Sequence, residues 1–173
     1  MNKIVCDHMS VGVIAKDPEG RILLIERKKF PFGWAPPSGH LDGFGYSVAC
    51  FREFEEETGL KVVGAPKPLI PKNPVKYFKC RRGGEYHIWQ IFGVDWAGEL
   101  RPNPDETKSA RWHSVKEIKD LAAKTANYLA RYRQAELVPK STETIWQKLD
   151  KEWEKNYSLE FVWYEFFQEL KII

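Results

Sequence analysis

The sequence predicts an α/β domain, with a mixed β-sheet, helices on both sides and a helical extension at the C-terminal end. Three observations carry that expectation. Short apolar runs interleave with helical patterns, without the regular strand–helix–strand alternation of a parallel sheet. Hydrophobic residues make up 43% and charged residues 29% of the chain, a globular balance that argues against disorder. At 173 residues the chain suits one domain of ordinary size.

The elements follow in order. Residues 10–15 and 21–26 are apolar runs around Lys16-Asp-Pro-Glu-Gly20, the pattern of a β-hairpin. Prolines in Phe30-Pro-Phe-Gly-Trp-Ala-Pro-Pro37 disfavour a helix, which makes this stretch a loop or an edge strand. A helix is expected over residues 47–58, with Ser47 as N-cap and Gly59 as C-terminal stop. Residues 60–63, 74–79 and 86–96 read as strands, the last two joined by a turn at 81–84. A polar loop over 98–107 leads to a short strand at 110–113. Ser114 and Glu117 then form a capping box that opens a helix over 115–122, and a further helix is expected over 125–136.

Residues 1–137 form the domain in this reading, and 138–173 a helical extension packed on it. Ile145, Leu149 and Trp153 fall at helical spacing, as do Val162, Trp163, Phe166, Phe167 and Leu170. Two amphipathic helices docked on the core account for this. The sharper reading of such aromatic density is a lid or a dimerisation element, giving a homodimer through the C-terminal helices.

Several classes are excluded. The formal charge of +3 is a weak excess, and Lys28-Lys29 and Arg81-Arg82 are isolated pairs that read as solvated surface. There is no strong nucleic-acid signal. Cys6, Cys50 and Cys80 are odd in number, far apart and without a C-x-x-C pair, so neither a disulfide framework nor a zinc site is expected. His8, His40, His87 and His113 lack mutual metal spacing and read as packed or surface residues. The N-terminal residues meet a charge too early for a signal core, and no apolar run approaches the roughly 20 residues of a membrane span. A soluble cytoplasmic protein is the expectation, reduced cysteines included.

The informative segment is Arg52-Glu-Phe-Glu-Glu-Glu-Thr-Gly-Leu60. On a helix at about 100° per residue, Glu53, Glu56 and Glu57 share one arc, while Phe51 and Phe54 lie outside it, free to pack on a sheet. Glu53 and Glu57 stand at i,i+4, where like charges cost roughly 0.2 to 0.5 kcal/mol when exposed. A solvated acidic face is the ordinary reading of such a cluster. A hard divalent cation is the alternative, since oxygen ligands of this kind suit magnesium or manganese.

The segment resembles the Nudix box, in which a glycine, five residues, a glutamate and seven residues precede Arg-Glu-U-x-Glu-Glu-x-Gly-U, U being bulky and apolar. Arg52, Glu53, Phe54, Glu56, Glu57, Gly59 and Leu60 match its second half. Pro36-Pro-Ser-Gly-His-Leu-Asp42 resembles the family's entry to the box, and Pro104 to Ile118 its closing loop, strand and helix, so the likeness spans residues 8–137. The first half departs from the pattern. Counted from Gly39, Gly45 stands where the glutamate belongs, and the spacing is one residue short. Asp42 is a candidate substitute for the lost glutamate, which in the family braces the box arginine.

The resemblance implies a Nudix-type α/β/α sandwich and a hydrolase that cleaves a diphosphate linkage in a nucleoside diphosphate derivative or nucleoside triphosphate. It implies that Glu53, Glu56 and Glu57 ligate Mg2+, which Mn2+ can replace, with a backbone carbonyl of Ser38 or Gly39 completing the shell. Arg52 would orient Glu53 through a charge-assisted hydrogen bond. Glu53 or Glu106 would act as base, with Asp105 the competitor of Glu106. Arg27, Trp34 and His40 are candidate substrate contacts. Phe30 and Phe32 are weaker ones, able to stack on a base or simply to pack. A second reading, favoured by the missing glutamate and the aromatic tail, is a degenerate Nudix module that binds a nucleotide or partner without turnover.

Overall fold

In the computed structural model residues 5–70, 73–136 and 143–173 are described, without the side chains of 135–136 and 143–147. Strands β1 (Met9–Ala15), β2 (Ile22–Arg27), β3 (Trp34–Ala35) and β4 (Ser38–His40) precede helix α1 (Tyr46–Thr58). Then come β5 (Lys61–Pro68), β6 (Val75–Lys76), β7 (His87–Ala97) and β8 (Thr107–His113). Helices α2 (Val115–Glu136), α3 (Glu143–Asn156) and α4 (Phe161–Glu169) follow.

The strands divide into two sheets: a mixed one in the order β4-β1-β7-β5, with β6 also on β7, and an antiparallel one, β3-β2-β8. In the mixed sheet β1 runs parallel to β7 and antiparallel to β4. The expected hairpin of residues 10–15 and 21–26 does not form. β1 and β2 meet through a single bridge, Lys16 to Ile22, and then part into different sheets. Both strands are buried on both faces, so each needs its own neighbours rather than a shared edge.

Alternation along the strands assigns the two faces. Val11, Val13, Ala15, Phe92 and Val94 pack with Ala49, Cys50 and Phe54 of α1. Ile14, Trp89 and Ile91 face the opposite layer, with Ile118 and Ala122 of α2 and Trp163, Phe166 and Phe167 of α4. Helix α1 is capped by Gly45 without a side-chain bond, and Ser47 lies inside the helix instead of capping it. Gly59 ends it as expected, left-handed at φ 74° with its N–H on the Glu55 carbonyl. Phe54 is fully buried, but Phe51 is 39% exposed and does not pack on the sheet.

The Ser114–Glu117 capping box forms, with both reciprocal backbone bonds at 2.7 and 3.2 Å. It opens one continuous helix, α2, instead of two. No glycine or proline interrupts residues 115–136, and the Thr125 hydroxyl donates to the Leu159 carbonyl at 2.7 Å rather than marking a boundary. The expected division at 137/138 lies outside the described residues, as does the side chain of Ile145.

Helix α4 is part of the core. Trp163, Phe166 and Phe167 are all fully buried, and a Cβ on Gly12 would lie 2.4 Å from the Trp163 ring. Leu149 and Trp153 of α3 pack on Tyr128. These aromatics therefore face the chain's own interior, and the expected dimerisation face offers none of them to a second copy.

Candidate active site

Helix α1, strand β4 and the end of β2 converge on a cleft of about 320 Å3. The i, i+3, i+4 spacing brings Glu53, Glu56 and Glu57 to its wall, joined by Arg27, Ser38, Gly39, His40, Arg52 and Glu106. Of the other candidates, Phe32 and Asp105 do not line the cleft, and neither does Trp34. Trp34 packs edge-on against His113 and carries the Arg111 guanidinium on its ring, away from the cleft. Its strand pairs with β2 and faces α4, so it is a packing residue and not a substrate contact.

Glu57 is buried at the base of the cleft, where the Ser38 N–H donates to its Oε2 at 2.8 Å. Burial pushes its carboxyl up to about 8, against the opposing pull of Arg27. Glu53 is also buried and raised by desolvation, although Arg52 draws it down. The Glu53 carboxylate lies against Gly39, where a Cβ would stand 2.0 Å from its Oε2. Only glycine admits the carboxylate at this position. Glu56 is exposed at the mouth.

Arg52 is held firmly despite the missing box glutamate. Its Nη2 donates to Glu53 Oε1 and to the His40 carbonyl, each at 2.6 Å, and stands 3.5 Å from Asp42 Oδ2. The Phe44 ring lies beneath the guanidinium at 5.1 Å. Asp42 thus stands beside the arginine that the lost glutamate would brace. Glu106 lines the cleft and pairs with Lys29 at 2.8 Å, an ammonium that holds its carboxyl below the usual range.

Sequence reasoning missed the cationic rim. Lys29, Arg81 and Arg82, read as solvated surface, all line the cleft, and Arg82 grips both oxygens of Asp42. No linear signal marks them, because 40 residues separate Arg82 from Asp42. The result is a carboxylate floor fit for a cation beneath guanidinium and ammonium groups fit for phosphate oxygens. His40 lines the cleft beside Arg82, and its Nε2 also stands 3.4 Å from Cys6 Sγ with the ring edge-on to His87. The expected absence of metal spacing does not hold: Cys6, His40, Cys80 and His87 bring donor atoms within 4.8 Å of one another.

Behind Arg27 sits Glu160, the N-cap of α4, with one carboxylate oxygen unpartnered. Burial pushes it up to about 7 from an ordinary 4.5, with Arg27 pulling the other way. Between these values the folded protein keeps a proton that the unfolded chain has lost, so stability falls as pH rises across that window. A difference of about 2.5 units corresponds to roughly 3 kcal/mol. Urea melts at about pH 5 and about pH 8 should show wild type losing roughly that much relative to Glu160→Gln. An equal gap at both pH values would mean that Glu160 is charged throughout.

Comparison with known proteins agrees with this geometry. The NUDIX domain family matches residues 7–132. The RNA pyrophosphohydrolase of Pelagibacter ubique (strain HTCC1062) is 28% identical over 127 residues, 64% of this chain and 78% of that protein. Among solved structures, the MutT NUDIX hydrolase from Burkholderia pseudomallei aligns with a TM-score of 0.53 at 27% identity, covering 63% of this chain and 84% of its own. A NUDIX hydrolase from Nitrosomonas europaea, 20% identical with a TM-score of 0.50, shares the fold over 89% of this chain and 93% of its own. Among the described residues no helix is long and apolar enough to cross a membrane. With the family match spanning most of its length and its acidic helix set against β4, the chain belongs to the Nudix family.

Proposed function

We propose that the chain is a divalent-cation-dependent hydrolase that cleaves a diphosphate linkage in a nucleoside triphosphate or nucleoside diphosphate derivative. The observation that carries this reading is the buried pair Glu53 and Glu57, pressed against Gly39 and Ser38, whose carboxyls burial raises even with Arg52 and Arg27 beside them. Two carboxylates in such a place are costly unless a cation joins them. Glu53, Glu56 and Glu57, with a carbonyl of Ser38 or Gly39, would hold Mg2+ or Mn2+. When bound, such an ion neutralises diphosphate oxygens and lowers the pKa of water.

The chain's own residues supply the rest. Arg52 orients Glu53 through its 2.6 Å bond. Arg27, Lys29, Arg81 and Arg82 face the substrate's phosphate oxygens across the cleft. Glu106, kept ionised by Lys29, accepts the proton of the attacking water. The test is phosphate release across a nucleotide panel with magnesium, including an RNA substrate because the Pelagibacter relative is named for one. Nucleotide binding with silence across the panel would favour the binding module instead.

Gly39→Ala tests the floor of the site directly. The new methyl overlaps the Glu53 carboxylate and must displace it. Turnover should fall at least about tenfold, because misplacing a reacting group by an ångström is that costly. Activity assays on a variant whose circular dichroism is native check it; wild-type turnover would show that Glu53 does not act from this position.

A further inference from the structure

We propose that Cys6, His40, Cys80 and His87 form a second metal site, a tetrahedral Cys2His2 centre for Zn2+ beside the catalytic cleft. Their donor atoms all lie within 4.8 Å of one another. Cys6 Sγ is 3.1 Å from His87 Nε2 and 3.4 Å from His40 Nε2. In tetrahedral zinc, with Zn–S near 2.3 Å and Zn–N near 2.0 Å, neighbouring sulfur and nitrogen stand about 3.5 Å apart. Small side-chain shifts close the set around one ion.

The surroundings are built for thiolates. The His8 N–H donates to Cys6 Sγ and the Gly84 N–H to Cys80 Sγ, both at 3.3 Å. The second bond belongs to a tight turn in which the Cys80 N–H reaches the Gly84 carbonyl at 2.9 Å and the Gly83 N–H reaches the Cys80 carbonyl at 3.1 Å. Gly83 takes φ 86°, and a Cβ on Gly84 would stand 2.4 Å from Cys6 Sγ. Both glycines are needed for the turn to approach the other sulfur.

Electrostatics agree. His40 and His87 both turn Nε2 toward Cys6 Sγ, the ring nitrogen a neutral imidazole offers to a metal. A cation among these donors favours the thiolate form of Cys6 and Cys80. Two thiolates cancel the charge of Zn2+, leaving a neutral centre that Arg82 tolerates. Sulfur and imidazole donors also separate this site from the oxygen floor of the cleft, which suits harder ions.

The site would fasten four places in the chain: the strand-leading residues around Cys6, strand β4, the turn over 80–84 and the start of β7. That turn carries Arg81 and Arg82 into the cleft. A bound ion therefore holds the cationic rim over the carboxylates.

The full chain, purified and dialysed against magnesium buffer, should retain about one equivalent of zinc by elemental analysis. Reconstitution with Co2+ should give the thiolate charge-transfer and intense d–d bands of tetrahedral coordination. Cys80→Ser and His87→Gln should each weaken zinc binding by at least about a hundredfold, the loss seen when even supporting residues are removed. Glu57→Gln should keep its zinc. A wild-type protein with no zinc and a weak octahedral cobalt spectrum would overturn the proposal, whatever the folding of the variants. So would undiminished zinc in Cys80→Ser, loss of zinc in Glu57→Gln, or a Cys6–Cys80 disulfide in the native protein by mass spectrometry.

Discussion

Replacing Glu57 by glutamine should lower turnover by at least roughly a hundredfold while the protein stays folded. The side chains have the same shape, and the glutamine carbonyl oxygen can still accept the Ser38 N–H bond that Glu57 Oε2 accepts at 2.8 Å. What disappears is one negative charge at the base of the cleft. In the metal-free protein that charge is already disfavoured, since burial pushes the carboxyl up to about 8. Glutamine therefore costs little there, and the variant's melting temperature without magnesium should equal or exceed that of wild type. The rise in melting temperature that magnesium gives to wild type should shrink sharply, because a ligand that binds only the folded state stabilises it in proportion to its affinity. Turnover at saturating magnesium and melts with and without the ion check both halves. Near-normal turnover would remove Glu57 from the metal's shell.

Trp163→Ala should destabilise the chain by about 3 to 5 kcal/mol, a large part of the 5 to 15 kcal/mol that holds a typical domain together. The indole is fully buried against Gly12 of β1, with Trp89 at 6.1 Å, Phe166 at 5.5 Å and Phe167 at 5.8 Å between ring centres. Cutting it to a methyl leaves a cavity under the central strands of the mixed sheet, and close-packed neighbours collapse into it only in part. Urea denaturation should show a lower midpoint with an unchanged slope. By the same reasoning a fragment ending at residue 137 should not fold, since it would expose Ile14, Trp89 and Ile91 together. A loss below about 1 kcal/mol would restore α4 to the status of a docked extension.

Much of the molecule was legible in local spacing. The arc of Glu53, Glu56 and Glu57, the stop at Gly59 and the reciprocal bonds of Ser114 and Glu117 depend on residues within one or two turns of each other, which a sequence displays directly. The strands at residues 60–63, 86–96 and 110–113 were found for the same reason, with ends shifted by a few residues or, at β5, extended. Partners were not legible. Lys16-Asp-Pro-Glu-Gly20 has the chemistry of a hairpin turn, yet β1 prefers β7 and β2 prefers β8, because each apolar strand needs cover on both faces.

The amino-acid order alone determined where the acidic helix lies, which carboxylates share its face and which family the chain resembles. The tertiary structure alone decided that Glu57 is buried and Glu56 is not, that Arg81 and Arg82 reach the cleft, and that Trp34 does not. It also brought Cys6 within 3.1 Å of His87, across 81 positions of sequence. Spacing rules see only what a single helix or strand repeats. Burial and convergence depend on which surfaces the packed core turns toward each other, and no single stretch of sequence carries that information.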